Sequence, residues 1–186
     1  MRRGGGVLLI GDYPPPMGGI AVHVQQLHRG VRRIGLPCQV LDIGKRGRPD
    51  PGVINGRGYK TFAQHLFRHA ARGWLLHLHT SGNNPKAWAV ATCVAVAGQL
   101  GRTPTAITVH SGLLPPLLQR SPSLRRHAQV ALFGYRQVIA VSAAVHRAVL
   151  ELGVRDERAS MYPAFCASEV RAGEPPSVLG ELRARR

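Results

Sequence analysis

Five short runs of leucine and β-branched residues, each separated from the next by a longer stretch of helical spacing, constrain the fold more than any other feature of this chain. Val7 to Ile10 is a continuous apolar run ended by Gly11-Asp12, the mark of a buried strand. Ile20, Val24, Leu27, Val31 and Ile34 then recur every three or four residues, which predicts an amphipathic helix from Gly18 to Ile34. Cys38 to Ile43 reads as the next strand, and residues 44 to 59, rich in Gly, Pro and Arg, as a loop. Phe62, Leu66, Phe67 and Ala70 mark a helix, Trp74 to His79 a third strand, and Asn83-Asn84-Pro85 the start of a helix reaching Leu100. Thr105 to Val109, a helix over 121–134, Gln137 to Val141 and a helix capped by Ser142 complete the series. Beyond Tyr162-Pro163 the chain turns polar and reads as a tail. This β-α-β order predicts one α/β domain: a Rossmann-like, doubly wound, mostly parallel sheet with helices on both faces.

The length, 186 residues, suits a single domain that buries roughly 70% of its unfolded surface and needs no disulfide or metal staple. Cys38, Cys93 and Cys166 are odd in number and widely spaced, which predicts buried thiols in a reducing compartment. The apolar stretch from Ala87 to Leu100 falls short of the ~20 residues a membrane span needs and reads as a buried helix. The apolar run after Met1-Arg2-Arg3 is too short for a signal peptide, so a cytoplasmic location is expected.

Charge narrows the chemistry. There are 25 Lys+Arg against nine Asp+Glu, a net charge of +16, and no acidic residue lies between Asp50 and Glu151. A hydrolase built on paired carboxylates in that stretch is excluded. The cations suit an anionic partner: nucleic acid, an anionic membrane surface or a phosphorylated small molecule. They are scattered, as in Arg29, Arg32 and Arg33 or Arg120, Arg125 and Arg126, and only 5% of residues are aromatic. Both facts weaken a nucleic-acid reading.

In a parallel sheet, ligands sit beyond the carboxyl ends of the strands, so the loops after them carry the candidate site. Gly18 and Gly19, at a helix N-terminus after the first strand, either let backbone N–H groups approach a phosphate or form a plain turn. No GxGxxG and no Gly-Lys-Ser/Thr follows the strand, which leaves a nicotinamide or P-loop site unsupported. His77 and His79 alternate along a strand and share one face, but no third ligand is identifiable, so no metal is expected. His79-Thr80-Ser81 and His110-Ser111 end two strands in the same manner, presenting hydrogen-bonding groups at the cleft. Either His can be a site residue or a satisfied structural one. His65, His69, His127 and His146 fall on helices and are expected to face solvent. No Gly-x-Ser-x-Gly elbow surrounds Ser81 or Ser111, and no acid is placed to orient His110, which argues against a hydrolase triad.

Taken in order, Val7-Leu-Leu-Ile-Gly-Asp-Tyr-Pro-Pro-Pro-Met-Gly-Gly19, His77-Leu-His79-Thr-Ser, Ala106-Ile-Thr-Val-His110-Ser-Gly, Val138-Ile-Ala-Val-Ser142 and Tyr162-Pro163-Ala-Phe resemble the landmarks of family-four glycosyltransferases of GT-B architecture. The resemblance covers about residues 6 to 166. It implies retaining transfer of a sugar from a nucleotide-diphosphate donor to a glycan or lipid-linked acceptor, with no cofactor and no metal. By position, Gly18 and Gly19 would lie near the donor diphosphate and His110 at the reaction centre. His79, Thr80, Ser81, Ser111 and Ser142 would line the substrate side.

The chain departs from that family by ending where a second, donor-binding domain would begin. Glu169, Glu174 and Glu181 have no strand-helix context. The expectation is therefore an acceptor-side domain over residues 1–166 and a basic linker or tail over 167–186, incomplete as a catalyst by itself. The alternative is a non-catalytic basic module that binds nucleic acid or an anionic membrane surface.

Overall fold

The computed structural model describes residues 5–44 and 50–163. Seven strands form one sheet in the order β3-β2-β1-β4-β5-β6-β7, every neighbouring pair parallel. They are β1 (Val7–Gly11), β2 (Cys38–Asp42), β3 (Val53–Asn55), β4 (Leu75–Thr80), β5 (Thr105–Val109), β6 (Gln137–Ala140) and β7 (Ala159–Met161). The helices are α1 (Gly19–Arg33), α2 (Tyr59–Ala71), α3 (Pro85–Gly101), α4 (Leu114–Arg120), α5 (Pro122–Phe133) and α6 (Ala143–Glu151), with a 3₁₀ turn at Asp156–Arg158. This is the Rossmann-like α/β fold that the alternation predicts.

Strand alternation divides the core cleanly. Leu8, Ile10, Leu41, Leu76, Leu78, Ile107, Val109, Val138 and Ala140 face one side, where they pack with the buried stripes of α2 to α6. Leu9 and Val40 face the other and pack against Val24 of α1. Each fully buried Leu or Ile removes enough apolar surface from water to stabilise the fold by about 1.5–3 kcal/mol. α3 carries the most central contacts: Trp88, Ala91, Val94 and Ala97 are fully buried, and the Tyr135 hydroxyl donates to the Ala91 carbonyl at 2.8 Å. Three helices are capped by the residues the sequence offers: Asn84, Ser121 and Ser142 accept from the backbone N–H three residues on.

Three elements differ from the sequence reading. Residues 44–59, expected as a loop, contain β3, an edge strand of only three residues. Val40 N–H, donating to the Gly52 carbonyl at 2.8 Å, leads it alongside β2. The loop after His110 is short, because Leu114 starts α4 with Pro115 and Pro116 in its first turn, where their missing N–H groups cost nothing. The chain after α6 returns to the sheet as β7, and the Arg158 guanidinium holds that return by donating to the carbonyls of Leu132, Phe133 and Tyr135. Ala164, Phe165, Cys166 and the tail over 167–186 lie outside the described residues. Cys38 is buried as expected, whereas Cys93 is exposed on the outer side of α3. Among the described residues, no helix is long and apolar enough to cross a membrane.

Candidate functional site

The strand order reverses at β1, with β2 on one side of it and β4 on the other. That reversal opens a crevice beyond the carboxyl ends of β1 and β4. The loop leaving β1 is pinned by Asp42, a 2% exposed carboxylate at the end of β2. Its Oδ1 accepts from Tyr13 N–H at 3.1 Å and from Gly44 N–H at 2.9 Å. The Tyr13 hydroxyl in turn donates to Asp50 Oδ2 at 2.8 Å. The loop then runs through three prolines to Gly18, the N-cap of α1, and Gly19, its first residue. A Cβ built on either glycine meets nothing within 4 Å, and the Gly18 φ of −156° is ordinary extended backbone. Neither packing nor backbone strain requires glycine here, and the first amides of α1 lie open to an approaching group.

Because α1 covers the sheet face that carries Leu9, the same face of β4 and β5 presents His77, His79, Thr108 and then His110. Gly11 makes the junction possible: a Cβ there would sit 3.2 Å from the His79 Cβ and 3.3 Å from Val24. His77 is held by its neighbours, with Nε2 2.8 Å from Thr108 Oγ1 and its ring stacked at 4.2 Å on that of His79. His79 Nδ1 lies 3.2 Å from His110 Nε2. His23, from the first turns of α1, closes the group, its ring 5.3 Å from His79 and 5.0 Å from His110.

Burial, then the mutual repulsion of imidazoles that would charge together, lowers these basicities. His77 falls to about 3, His110 to about 4, and His79 well below its ordinary value. The three rings are neutral at pH 7, each with one donor and one acceptor nitrogen. The carboxyl ends of β4 and β5 thus gather neutral imidazoles, with His23 joining them from the α1 helix, whose Gly18 N-cap and first residue Gly19 are exposed. Such a surface can hydrogen-bond hydroxyls, receive an anion at the helix terminus, or ligate a metal.

The hydroxyls expected at the site are engaged locally. Thr80 Oγ1 accepts from Gly82 N–H at 3.1 Å, Ser81 donates to Asn83 Oδ1 at 2.8 Å, and Ser111 Oγ accepts from Leu113 N–H at 3.1 Å. Ser142 caps α6, its Oγ 3.4 Å from Val145 N. Thr80, Ser81 and Ser111 thereby shape the turns that follow His79 and His110.

One sequence expectation changes, and one residue joins the site. His69 faces the interior, 4% exposed, its ring nitrogens 2.6 Å from the His65 carbonyl oxygen and 2.8 Å from Gln39 Oε1. His23 escaped notice, although it flanks the Ile20-Val24-Leu27 stripe that turns α1 toward the sheet. The arginines line other depressions: Arg29, Arg32 and Arg33 border one of about 550 Å³ with His28 and Asp50. Arg125 and Arg126 line another of about 810 Å³ beside α5.

No family model and no curated protein sequence matches the chain. Solved structures do. Crystal structures of Anabaena HepE (Alr3699) match it in complex with UDP at a TM-score of 0.54 and 18% identity, and with UDP-glucose at 0.51 and 18%. A third, with UDP and glucose, gives 0.51 and 19%. The chain shares the fold of the matched part of HepE. The matches cover 96–97% of this chain and 49% of HepE, so the chain spans about half the length of that protein.

Proposed function

We propose that residues 1–166 are the acceptor-side domain of a retaining glycosyltransferase that takes a sugar from a nucleotide-diphosphate donor, with 167–186 leading towards a donor-binding domain. The observation that carries this reading is the convergence, at the switch point of a parallel sheet, of the open Gly18-Gly19 helix terminus with His79 and His110. The HepE fold, solved with UDP and UDP-glucose, and the ordered strand-end motifs support it.

In this reading, the amides at Gly18 and Gly19 meet the donor diphosphate, where the positive end of the α1 dipole favours the charge. His110, neutral and half-buried, hydrogen-bonds the sugar or acceptor hydroxyl at the reacting carbon. His79 fixes the His110 ring through the 3.2 Å contact. Thr80, Ser81, Ser111 and Ser142 hold the surrounding loops. No step of the transfer is assigned to a metal or a cofactor. A cytoplasmic, peripherally membrane-bound enzyme acting on a lipid-linked acceptor would place Arg29, Arg32 and Arg33 against anionic headgroups.

The test is transfer or donor hydrolysis by this domain joined to a donor-binding half, assayed across the common nucleotide sugars. Turnover that His110→Ala abolishes while the far-ultraviolet circular dichroism stays unchanged supports the reading. Absence of turnover with every donor, or full turnover in the variant, refutes it.

A further inference from the structure

Among the described residues, one group of potential metal-binding side chains stands out: His23, His79 and His110 each offer a ring nitrogen, and the three nitrogens lie within 4.8 Å of one another. They come from α1 and from the ends of β4 and β5, so the triangle is a product of the tertiary fold. His79 is 2% exposed, and the nitrogen it turns toward His110 is Nδ1.

The distances suit a small ion. Around a tetrahedral zinc with Zn–N bonds of about 2.0–2.1 Å, ligand nitrogens sit about 3.3 Å apart. The His79–His110 pair is already at 3.2 Å. His23, half-buried on α1, places a ring nitrogen within 4.8 Å of the other two. His77 stays outside the triangle, its Nε2 committed to Thr108, and buttresses the His79 ring from behind.

We propose that the His23–His79–His110 triangle binds one divalent transition-metal ion of the zinc class and leaves a fourth coordination position open toward the crevice. This replaces the expectation of no metal, which weighed His77 with His79 and found no third ligand. The donor set is imidazole alone, which suits Zn²⁺, Co²⁺, Ni²⁺ or Cu²⁺ and disfavours Mg²⁺ and Ca²⁺, which require oxygen ligands. Burial keeps the His79 and His110 rings neutral and therefore in the ligating form. Whichever ring donates the proton shared between His79 and His110 moves it to its own second nitrogen, so binding needs no net proton release. The inference is independent of sugar transfer, since it concerns the apo triangle and its affinity for the ion alone.

The experiment titrates EDTA-treated full chain with Zn²⁺ by calorimetry and with Co²⁺ by visible absorption. One equivalent per chain is expected, with the intense d–d bands of a four- or five-coordinate Co²⁺ site. His23→Gln, at a half-exposed helix position, and His110→Gln should each weaken binding by about tenfold or more. His127→Gln, on the exposed side of α5, should leave binding unchanged. Because a variant can lose the fold, thermal melting accompanies each titration: Zn²⁺ should raise the Tm of wild type and leave that of folded His23→Gln unmoved. No stoichiometric binding to folded chain, or binding that His23→Gln leaves intact, or binding that His127→Gln weakens equally, overturns the proposal.

Discussion

His79 Nδ1 and His110 Nε2 lie 3.2 Å apart across the ends of two adjacent parallel strands, β4 and β5. The contact joins two residues that are 31 positions apart in the chain. It also makes the two imidazoles a single hydrogen-bonded unit, so substituting either ring disturbs the other. In the proposed transfer His110 is the group facing substrate. We expect His110→Ala to lower turnover by about 10²-fold or more with a modest loss of thermal stability, because His79 Nδ1 loses its partner. His79→Ala, at a fully enclosed position, should lower both. Steady-state kinetics alongside thermal melts separates the two.

Stability should fall in mild acid. His77, His79 and His110 are less basic in the fold than in the unfolded chain, because burial disfavours their charged forms. As pH drops below the unfolded value of about 6.5, the unfolded state takes up protons that the native state refuses, and stability is lost until the folded values near 4 and 3 are reached. For His110 alone the loss by pH 5 is on the order of 2 kcal/mol. Urea unfolding at pH 7.5 and pH 5 in EDTA checks this, and equal midpoints would contradict it.

Thr108 has one evident task, to satisfy His77. Thr108→Val preserves shape and removes the 2.8 Å partner of His77 Nε2, leaving a polar atom buried without a bond. A loss of about 1–3 kcal/mol in chemical denaturation is expected. Thr108→Ser, which keeps the hydroxyl, should recover most of it.

The turn after β4 depends on Gly82 and Trp88. Gly82 sits at φ +65° with the Trp88 ring 2.9 Å from where a Cβ would be, and its carbonyl accepts from the Trp88 indole N–H at 2.9 Å. Gly82→Ala combines left-handed backbone with a clash and should cost at least about 1–2 kcal/mol. Trp88→Ala, in the centre of the core, should cost about 3–5 kcal/mol. Thermal or urea melts measure both.

Gly98 tests helix–strand packing. A Cβ at this α3 position would lie 2.2 Å from the Thr105 methyl of β5. Gly98→Ala should therefore destabilise by about 1–3 kcal/mol, although alanine is the better helix former. If Thr105 is the obstacle, Thr105→Ser in the same background should restore stability.

Much of this was legible in the residues. Val7-Leu-Leu-Ile10 is a continuous apolar run, Thr105 to Val109 is rich in β-branched residues and buried throughout, and Asn84-Pro85 and Ser142 announce helix starts by their capping chemistry. β3 and β7 were not legible, because three residues such as Val53-Ile54-Asn55 carry too little periodicity and are strands only through pairing with β2 and β6. α4 was hidden by two prolines that usually signal a loop. At the site, the loops bearing His79 and His110 follow from their position after strands. His23 does not, because a histidine flanking an apolar helical stripe reads like any boundary residue until the helix is laid across β4. His69 was misread for the complementary reason: its exposure depends on Gln39, distant in sequence, reaching its ring.

The central claim is that the crevice at Gly18, Gly19, His79 and His110 receives a nucleotide sugar and its acceptor. Amide chemical-shift mapping of the ¹⁵N-labelled chain with UDP-glucose, carried to millimolar concentration, tests it most directly. Saturable shifts at Gly18, Gly19, Thr80, Ser81 and Ser111 are predicted. Shifts confined to the Arg29–Arg33 and Arg125–Arg126 surfaces, or none at all, would contradict it.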